Sequence, residues 1–309
     1  DALLGAGHEV CVLDDLSTGR RTNLNARAEL VVGDVADAGL LFELARGTSC
    51  IFHLAAIASV QRSNEDWLGT HRVNQTGTIA VFDAARAAGR IPVIYASSAA
   101  VYGGQQGGAI DEDAPLEPRT AYGADKLGSE LHAAVAAGIH GIPTIGMRFF
   151  NVYGPRQDPS SPYSGVISIF ASRVARAEPI NIHGAGDQIR DFVFVSDVVA
   201  HLRSAAAAVS QNRLLNSRVF NVCTGRATSI ISIARALGAV TGHDVTIVHG
   251  PRRAGDIQVS VGNPSRAKAE LGVSADVTLL EGLRHTLGLS DFRRLQRTAR
   301  VWTQSCPVG

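Results

Sequence analysis

Short apolar or β-branched runs alternate with longer Ala- and Leu-rich stretches along the first half of the chain. The runs that predict strands cover residues 9–13, 30–32, 50–53, 93–96 and 144–149. Helical periodicity lies between them, most clearly over residues 67–88 and 122–137. Parallel strands need crossover connections, so strands that alternate with helices are typical of a parallel sheet with helices on both faces. The pattern therefore predicts a doubly wound α/β fold.

This alternation breaks down after about residue 151. Three X-Pro pairs between residues 154 and 162 mark loops, and short strands are predicted near 180–182 and 192–194. Helices near 230–240 and 279–287 complete a smaller lobe. We therefore expect one domain over residues 1–150, an α/β lobe over 151–289 that interleaves with it, and a tail over 290–309 without an assigned role.

The chain opens on what looks like the last turns of a helix, with Gly7 as its C-terminal cap, followed by a strand that ends in Asp14-Asp15. A Rossmann-like dinucleotide-binding unit runs strand, Gly-rich turn, helix, strand, acid. Only the second half of that unit is present here. We expect the sequence to be truncated, without the first strand and the Gly-rich loop. A natural protein lacking that strand would expose the middle of a buried sheet.

Composition indicates a soluble globular protein, since 45% of the 309 residues are hydrophobic and 18% are charged. The formal charge of +1 predicts neither a nucleic acid nor a membrane as partner. The four cysteines show neither metal-ligand nor redox spacing, so we expect no metal and a cytoplasmic location. Lys126 and Lys268 are the only lysines, which makes a lysine in a chemical context informative.

Tyr122 precedes Lys126 by four residues, so on a helix the two side chains share a face, one turn apart. An ammonium near a phenol stabilises the phenolate and lowers the tyrosine pKa. A tyrosine of that kind acts as a general base near neutral pH. The spacing therefore predicts a catalytic pair, and the alternative is an ordinary surface helix with one exposed lysine.

Ser97 and Ser98 directly follow the predicted strand 93–96. Ligands of open α/β sheets bind at the carboxyl ends of strands, where a hydroxyl can bridge a substrate oxygen and a tyrosine. Serines at strand ends are often only turn formers. Combined with Tyr122, Ser98 is predicted to complete a catalytic group.

Further motifs follow one another in unbroken order from residue 1 to about residue 289. They are LDDLSTG at 13–19, GDV at 33–35, HLAA at 53–56, VNQTGT at 73–78, the Ser98 segment, Tyr122 with Lys126, RFFNVYGP at 148–155, RDF at 190–192 and RAGD at 253–256. In this series the chain resembles the extended short-chain dehydrogenase/reductase family and, within it, the UDP-galactose and UDP-N-acetylglucosamine 4-epimerases.

The resemblance implies NAD as the cofactor. Asp14 would accept hydrogen bonds from the adenine ribose and repel a 2′-phosphate, which favours NAD over NADP. Tyr122 and Lys126 are also implied to bind the cofactor. Asp34 and Val35 would flank the adenine, and Phe150 would shield the nicotinamide. Asn74 would hold a backbone segment near the cofactor, and the residues that line it would be Leu54, Ala55 and Ala56.

The resemblance also implies a UDP-sugar substrate. Asn151 would contact the sugar nucleotide, and His183 would stack on the uracil. Arg190 and Arg253 would neutralise the diphosphate, for which guanidinium forks are suited, and Asp256 would take a ribose hydroxyl. Each arginine by itself is better explained as a solvated surface charge, because arginines are numerous in this chain.

The implied reaction is 4-epimerisation through transient oxidation. Tyr122, as phenolate, would take the proton of the sugar 4-hydroxyl with help from Ser98, while the C4 hydride passes to NAD and returns to the other face of the 4-keto sugar. NAD would stay bound, since no net oxidation occurs. Related 4,6-dehydratases carry an acidic pair where this chain has Ala99 and Ala100, and alanine cannot transfer protons. A UDP-uronate 4-epimerase remains an alternative, because it differs only in the pocket around C6.

Ser260 falls, counting from Asp256, on the position that sets pocket width in the family. A tyrosine there restricts the site to plain hexoses, whereas Cys or Ser leaves room for an N-acetyl group. With Gln157-Asp158-Pro159, this favours UDP-GlcNAc and UDP-GalNAc, with UDP-Glc and UDP-Gal as further substrates.

The family pairs two subunits through the helices predicted at 67–88 and 122–137, so we expect a homodimer. Two alternatives of another kind are a non-catalytic nucleotide-binding protein, which should have lost Tyr122 or Lys126, and an inactive gene fragment. We expect the 309-residue chain by itself to bind NAD poorly.

Overall fold

The structure, a computed structural model, describes residues 1–104, 107–159, 161, 165–252 and 256–289. Within these residues, parallel strands and surrounding helices form the α/β fold that the sequence predicts. The strands are β1 (Cys11–Asp14), β2 (Glu29–Val32), β3 (Ile51–His53), β4 (Val93–Ser98), β5 (Thr144–Phe149), β6 (Asn151–Tyr153), β7 (Ile180–His183), β8 (Ile189–Arg190), β9 (Phe192–Phe194), β10 (Arg218–Val222), β11 (Thr228–Ser229), β12 (Ile247–Gly250) and β13 (Val259–Ser260).

The α-helices begin with a short N-terminal turn and lie between and after the strands. They are α1 (Ala2–Gly5), α2 (Ala38–Ala45), α3 (Val60–Glu65), α4 (Trp67–His71), α5 (Gly77–Ala87), α6 (Ala121–His140), α7 (Val166–Ala175), α8 (Val195–Ser210), α9 (Ile230–Thr241), α10 (Ser265–Leu271) and α11 (Leu279–Thr286). Among the described residues, none of the helices has both the length and the apolarity that a membrane crossing requires.

The parallel sheet is divided into two parts. One part has the strand order β10-β5-β4-β3, and in the other β1 pairs with β2. All of these pairs are parallel. Within the described residues β1 and β3 are not paired with each other.

Helices cover both faces of the four-stranded part. Val93 and Tyr95 of β4 pack with Val81 of α5 and Ala133 of α6, whereas Ile94 points to the opposite face and packs in a cluster that includes residues of α8. Successive side chains of a strand point to opposite faces, so a strand covered on both sides is apolar throughout. This burial explains why β4 was recognisable in the sequence.

The helix predicted over residues 67–88 is not one regular α-helix. It runs as α4, then a π-helical segment at Arg72–Thr76, then α5. The π segment contains the fully buried Asn74, whose amide binds both backbone groups of Ile57. Single π turns inside helices are frequent at functional sites. The apolar spacing continues across the break, so periodicity alone predicted a regular helix.

The second half of the chain builds short strands around its own apolar core and also returns to the main sheet. Ile180, Ile182, Phe192 and Phe194 share that core with α9. Strand β10, which the sequence pattern did not predict, pairs with β5 in the main sheet. Its Asn221 is fully buried, and its side-chain amide accepts a hydrogen bond from the Tyr102 hydroxyl and donates one to the Ile110 carbonyl.

Candidate active site

The carboxyl ends of the strands collect most of the predicted cofactor-side residues. Asp14 and Ser98 are the last residues of β1 and β4, and Asp34, Leu54 and Phe150 follow the ends of β2, β3 and β5. The strands of each part of the sheet are parallel, so their carboxyl ends lie at one edge, where ligands of open α/β sheets bind. The topology thus places these residues as a group.

Helix α6 brings Tyr122 and Lys126 to the end of β4. Its N-cap is Thr120, whose hydroxyl accepts a hydrogen bond from the Gly123 amide over 3.0 Å. The Lys126 ammonium lies 5.8 Å from the centre of the Tyr122 ring and donates to the Ala96 carbonyl over 2.9 Å. Tyr122 also shares a hydrogen bond with Ser98. The structure therefore assembles the three residues that the sequence singled out.

Burial controls the proton affinities of this group. It raises the pKa of Tyr122, and the hydrogen bond with Ser98 only partly opposes that rise. It also lowers the pKa of Lys126 to about 8. The lowered tyrosine pKa that spacing alone predicted is therefore wrong for the protein's own groups, because desolvation of the phenolate outweighs the other effects.

A second layer of polar residues lies behind Lys126. His53 Nε2 is 2.9 Å from the Thr78 hydroxyl, which donates to the Asn74 carbonyl over 2.5 Å. Burial, followed by the charge of Lys126, lowers the pKa of His53 to about 3, so its imidazole is neutral. The Asn74 amide donates to the Ile57 carbonyl and accepts from the Ile57 amide, over 3.2 and 2.8 Å. This contact fixes the segment that contains Leu54, Ala55 and Ala56.

The turn after β1 folds back over the Asp14 carboxylate. Asp14 Oδ1 accepts from the Leu16 amide over 2.7 Å. A Cβ on Gly19 would lie 2.7 Å from the same oxygen, so glycine is needed for this approach. The turn thereby fixes the position of an acid at a strand end.

The turn after β2 holds the next acid. Asp34 accepts from the Ala36 amide over 2.8 Å and from Arg72 over 2.6 Å. These contacts, the backbone hydrogen bond above all, hold its pKa below the usual range. The neighbouring Val35 is buried against Gly77. Asp34 is thus ionised, and its partner Arg72 comes from the π-helical segment.

A buried ion pair, which the sequence analysis did not assign, joins the catalytic helix to β5. Arg148 donates to both carboxylate oxygens of Glu130, over 2.9 and 2.7 Å. It also donates to the Tyr102 hydroxyl over 2.8 Å and to the Glu112 carbonyl over 2.9 Å. Burial lowers the Arg148 pKa, but the bonds to Glu130 and Tyr102 outweigh it and raise that pKa above its ordinary value. Glu130 was detectable, because it continues the Tyr122–Lys126 spacing by one more turn.

Four predicted substrate-side residues lie together in the second half of the chain. Arg190 donates to Asp256 over 2.7 Å, and Ser260 of β13 pairs with Arg190 in the parallel ladder. Gln188, which the sequence did not single out, donates to Asp256 over 3.0 Å and to the carbonyl of His183 over 2.9 Å. Arg190 and Asp256, predicted for separate ligand groups, thus form an ion pair. Arg253 lies outside the described residues.

Asp191 connects the substrate-side residues to the cofactor side. Its carboxylate is fully buried and accepts from the backbone amides of Thr224, Gly225 and Gly262, over 2.8 to 3.3 Å. Its own carbonyl accepts from the Asn151 amide over 2.9 Å. A Cβ on Gly262 would lie 2.7 Å from the Phe150 ring. The hydrogen bond from the Gly262 amide to Asp191 therefore holds the loop after β13 in close contact with Phe150.

The chain is similar to known proteins over nearly its whole length. The model of the NAD dependent epimerase/dehydratase family matches residues 1–223. The UDP-glucose 4-epimerase of Mycolicibacterium smegmatis is 38% identical over 296 residues, covering 93% of this chain and 92% of that protein.

Two solved structures show the same fold. The UDP-glucose 4-epimerase of Thermotoga maritima, solved with UDP-glucose, has a TM-score of 0.87 at 32% identity and covers 95% of this chain and 93% of its own. The UDP-N-acetylglucosamine 4-epimerase of Methanobrevibacter ruminantium, solved with UDP-N-acetylmuramic acid, has a TM-score of 0.85 at 30% identity. The match covers 91% of this chain and 89% of that one. With the site geometry described above, these matches show that the chain belongs to the NAD-dependent epimerase/dehydratase family.

Proposed function

We propose that this protein is a UDP-hexose 4-epimerase. The observation that carries the proposal is the arrangement of Tyr122, Ser98 and Lys126 at the carboxyl end of β4. The similarity to UDP-glucose 4-epimerases over more than nine-tenths of the chain supports it. A non-catalytic nucleotide-binding protein is disfavoured, because such a protein has no need of a phenol, a hydroxyl and an ammonium in one buried cluster.

The residues present fit NAD, the cofactor of the family. Asp14 offers a carboxylate at a strand end, as ribose hydroxyls require, and Asp34 and Val35 lie beside the next strand end. Lys126 and Phe150 would hold the nicotinamide side, and Asn74 fixes the segment 54–57 between the two ends. When bound, NAD supplies a reversible acceptor for the hydride of the sugar.

The protein's own contribution is the movement of one proton at the sugar O4. Tyr122 removes that proton as C4 is oxidised and returns it when C4 is reduced from the other face. Ser98 orients the Tyr122 hydroxyl. Burial by itself raises the pKa of Tyr122, so the Lys126 ammonium, 5.8 Å from the ring centre, and the positive charge of a bound nicotinamide would together have to favour the phenolate. Because the same proton and hydride are returned, sugar and product differ only in configuration at C4.

The substrate-side residues suit a nucleoside diphosphate. Arg190 would neutralise the diphosphate together with Arg253, and Asp256 would accept from a ribose hydroxyl. His183 would stack on the uracil, and Asn151 would contact the sugar nucleotide. The ion pair between Arg190 and Asp256 holds both side chains in place before any ligand arrives.

We propose that the sugar range includes N-acetylated hexoses, because Ser260 is small and pairs with Arg190 in the ladder. The similarity to a UDP-N-acetylglucosamine 4-epimerase is consistent with this range. A 4,6-dehydratase is disfavoured, because Ala99 and Ala100 follow Ser98 and offer no acid or base for loss of the C6 hydroxyl.

We further propose that two copies associate through α4, α5 and α6. Large apolar side chains on these helices are exposed, including Trp67 at 69%, Leu68 at 81% and Ile139 at 76%. Exposed apolar patches of this kind mark association surfaces in soluble proteins. Sedimentation of the purified protein at two concentrations tests this dimer.

Conversion of UDP-sugars tests the activity. The full-length protein is incubated separately with UDP-Gal, UDP-GalNAc and UDP-glucuronic acid, and the products are separated by ion-pair chromatography. We expect conversion of UDP-Gal and UDP-GalNAc to their C4 epimers and at least a ~1000-fold loss in Tyr122→Phe, as for removal of a general base. Conversion of UDP-glucuronic acid alone would instead establish a uronate epimerase. Undiminished conversion by Tyr122→Phe would overturn the assignment.

A further inference from the structure

The catalytic helix contacts the end of β4 on three successive turns. Tyr122, Lys126 and Glu130 follow one another at four-residue spacing along one face of α6. Tyr122 shares a hydrogen bond with Ser98, and Lys126 binds the carbonyl of Ala96. The third contact is made by Glu130, whose carboxylate accepts from the Ser97 hydroxyl.

Glu130 is in turn held by Arg148, the residue that pairs with Ser97 in the neighbouring strand β5. The guanidinium forms a two-bond fork with the carboxylate, and both side chains are almost fully buried. A fork of this kind fixes orientation as well as distance. The carboxylate thus has one set position relative to both strands.

The same arginine reaches the far side of the site. Its Nη1 donates to the Tyr102 hydroxyl over 2.8 Å, and its Cζ lies 4.8 Å from the centre of the Tyr102 ring. Tyr102 packs against Phe150 at 6.4 Å between ring centres. One buried network therefore touches the helix of Tyr122, the strand of Ser98 and the aromatic ring proposed to face the nicotinamide.

We propose that Glu130 and Arg148 are positioning residues that hold the Tyr122 hydroxyl in line with Ser98 during proton transfer. Neither side chain reaches the reacting atoms, and both act through α6 and β4. A displacement of about 1 Å in a reacting group can slow catalysis about 100-fold. The inference rests on the proposed 4-epimerase function.

Two variants separate positioning from charge. Glu130→Gln breaks the fork, and Ser97→Ala removes the contact with β4 while leaving the ion pair and its charges intact. The control is Glu270→Gln, which breaks a bidentate pair of the same chemistry at a more exposed place, that between Glu270 of α10 and Arg218 of β10. We expect kcat to fall ~10- to 100-fold in Glu130→Gln and ~3- to 10-fold in Ser97→Ala. In both variants KM and the amount of bound NAD should stay within ~3-fold of the wild-type values. Glu270→Gln should leave kcat unchanged.

Titration of the Tyr122 phenol supplies a readout that needs no turnover. The phenolate absorbance of each variant is followed against pH, and its Tyr122→Phe counterpart is subtracted. Loss of alignment with Ser98 raises the midpoint of Tyr122, because that hydrogen bond lowers it. Loss of a negative charge at Glu130 would instead lower the midpoint, so the two explanations predict opposite signs.

The proposal is overturned if Ser97→Ala and Glu130→Gln keep wild-type kcat, or if the Tyr122 midpoint stays constant or falls in both. A loss of kcat that only matches a loss of folded protein also overturns it, and Ser97→Ala carries the test if Glu130→Gln does not fold. If the wild type converts no UDP-hexose, the 4-epimerase assignment fails, while the Tyr122 midpoints still decide whether Glu130 positions the phenol.

Discussion

The ammonium of Lys126 donates a hydrogen bond to the carbonyl of Ala96 over 2.9 Å, inside the protein and out of contact with water. Burial lowers the pKa of Lys126 from 10.5 to about 8, which corresponds to roughly 3 kcal/mol opposing folding with the charge in place. This free-energy cost applies in full below pH 8, where the lysine is charged in both the folded and the unfolded protein. It disappears as the pH rises toward 10.5, because the buried amine is then neutral. The lysine is therefore retained at the expense of stability.

Lys126→Met is expected to lose activity about 100-fold without losing stability. The substitution removes the cost of burying the charge, while the lost hydrogen bond to Ala96 is worth only about 1 kcal/mol. Urea unfolding at pH 7 should give a free energy of unfolding equal to or above that of the wild type, with the difference shrinking toward pH 9.5. A variant that is clearly less stable at pH 7 would contradict this account.

Asp14→Asn is expected to reduce the preference for NAD over NADP about 10-fold, since a carboxylate repels the 2′-phosphate and an amide does not. The amide oxygen can still accept from Leu16, so the turn should keep its shape. Calorimetric titration with both cofactors measures the ratio. The control is Asp15→Asn, because Asp15 caps the same turn through Ser17 and should leave the ratio unchanged.

Ser260→Tyr is expected to reduce kcat/KM for UDP-GalNAc at least ~10-fold and to spare UDP-Gal, because the larger ring fills the space that an N-acetyl group needs. Ser260→Ala should convert both sugars like the wild type. Parallel assays with the two sugars measure the ratio. An equal loss for both sugars in Ser260→Tyr would mean that this position does not set the width of the pocket.

Arg190→Gln is expected to raise KM for the UDP-sugar ~10- to 100-fold and to change kcat by less than ~3-fold. The loss corresponds to charged hydrogen bonds to a diphosphate. The matched control is Arg252→Gln, since Arg252 also pairs with an aspartate, Asp187, over 2.8 Å but is exposed. A similar rise in both variants would point to general attraction of an anion rather than to a defined contact.

Asp197→Asn is expected to stabilise the protein at alkaline pH. Burial raises the pKa of Asp197 from 3.8 to about 6, although a hydrogen bond from the Val277 amide opposes it. The contribution of Asp197 to the free energy of unfolding is therefore highest below pH 3.8, where the carboxyl is protonated in both states. It falls by up to about 3 kcal/mol as the pH rises through 6, because the buried carboxyl must then ionise. Thermal unfolding should favour the variant at pH 8 and show little difference near pH 4. Asp187→Asn, at an exposed position, should follow the wild type throughout.

The sequence by itself determined the parallel α/β fold and the identities of the proposed catalytic residues. Both depend on local information, since β4 lacks charged residues and is largely apolar from Val93 to Ala96, and Tyr122 and Lys126 are separated by one helical turn. The strand ends of a parallel sheet then bring Asp14, Ser98 and Phe150 to a shared edge for any sequence that folds this way.

Only the tertiary structure decided the contacts that depend on burial and on distant segments. The direction of the Tyr122 pKa depends on desolvation, which no spacing of residues specifies. Three such contacts join residues that lie 18 to 71 positions apart in the chain. They are the ion pair of Glu130 with Arg148, the ion pair of Arg190 with Asp256 and the hydrogen bond from the Gly262 amide to Asp191. A sequence pattern shows which side chains lie on the same face of one helix or strand. The partner of a buried charge is decided only when that element packs against others.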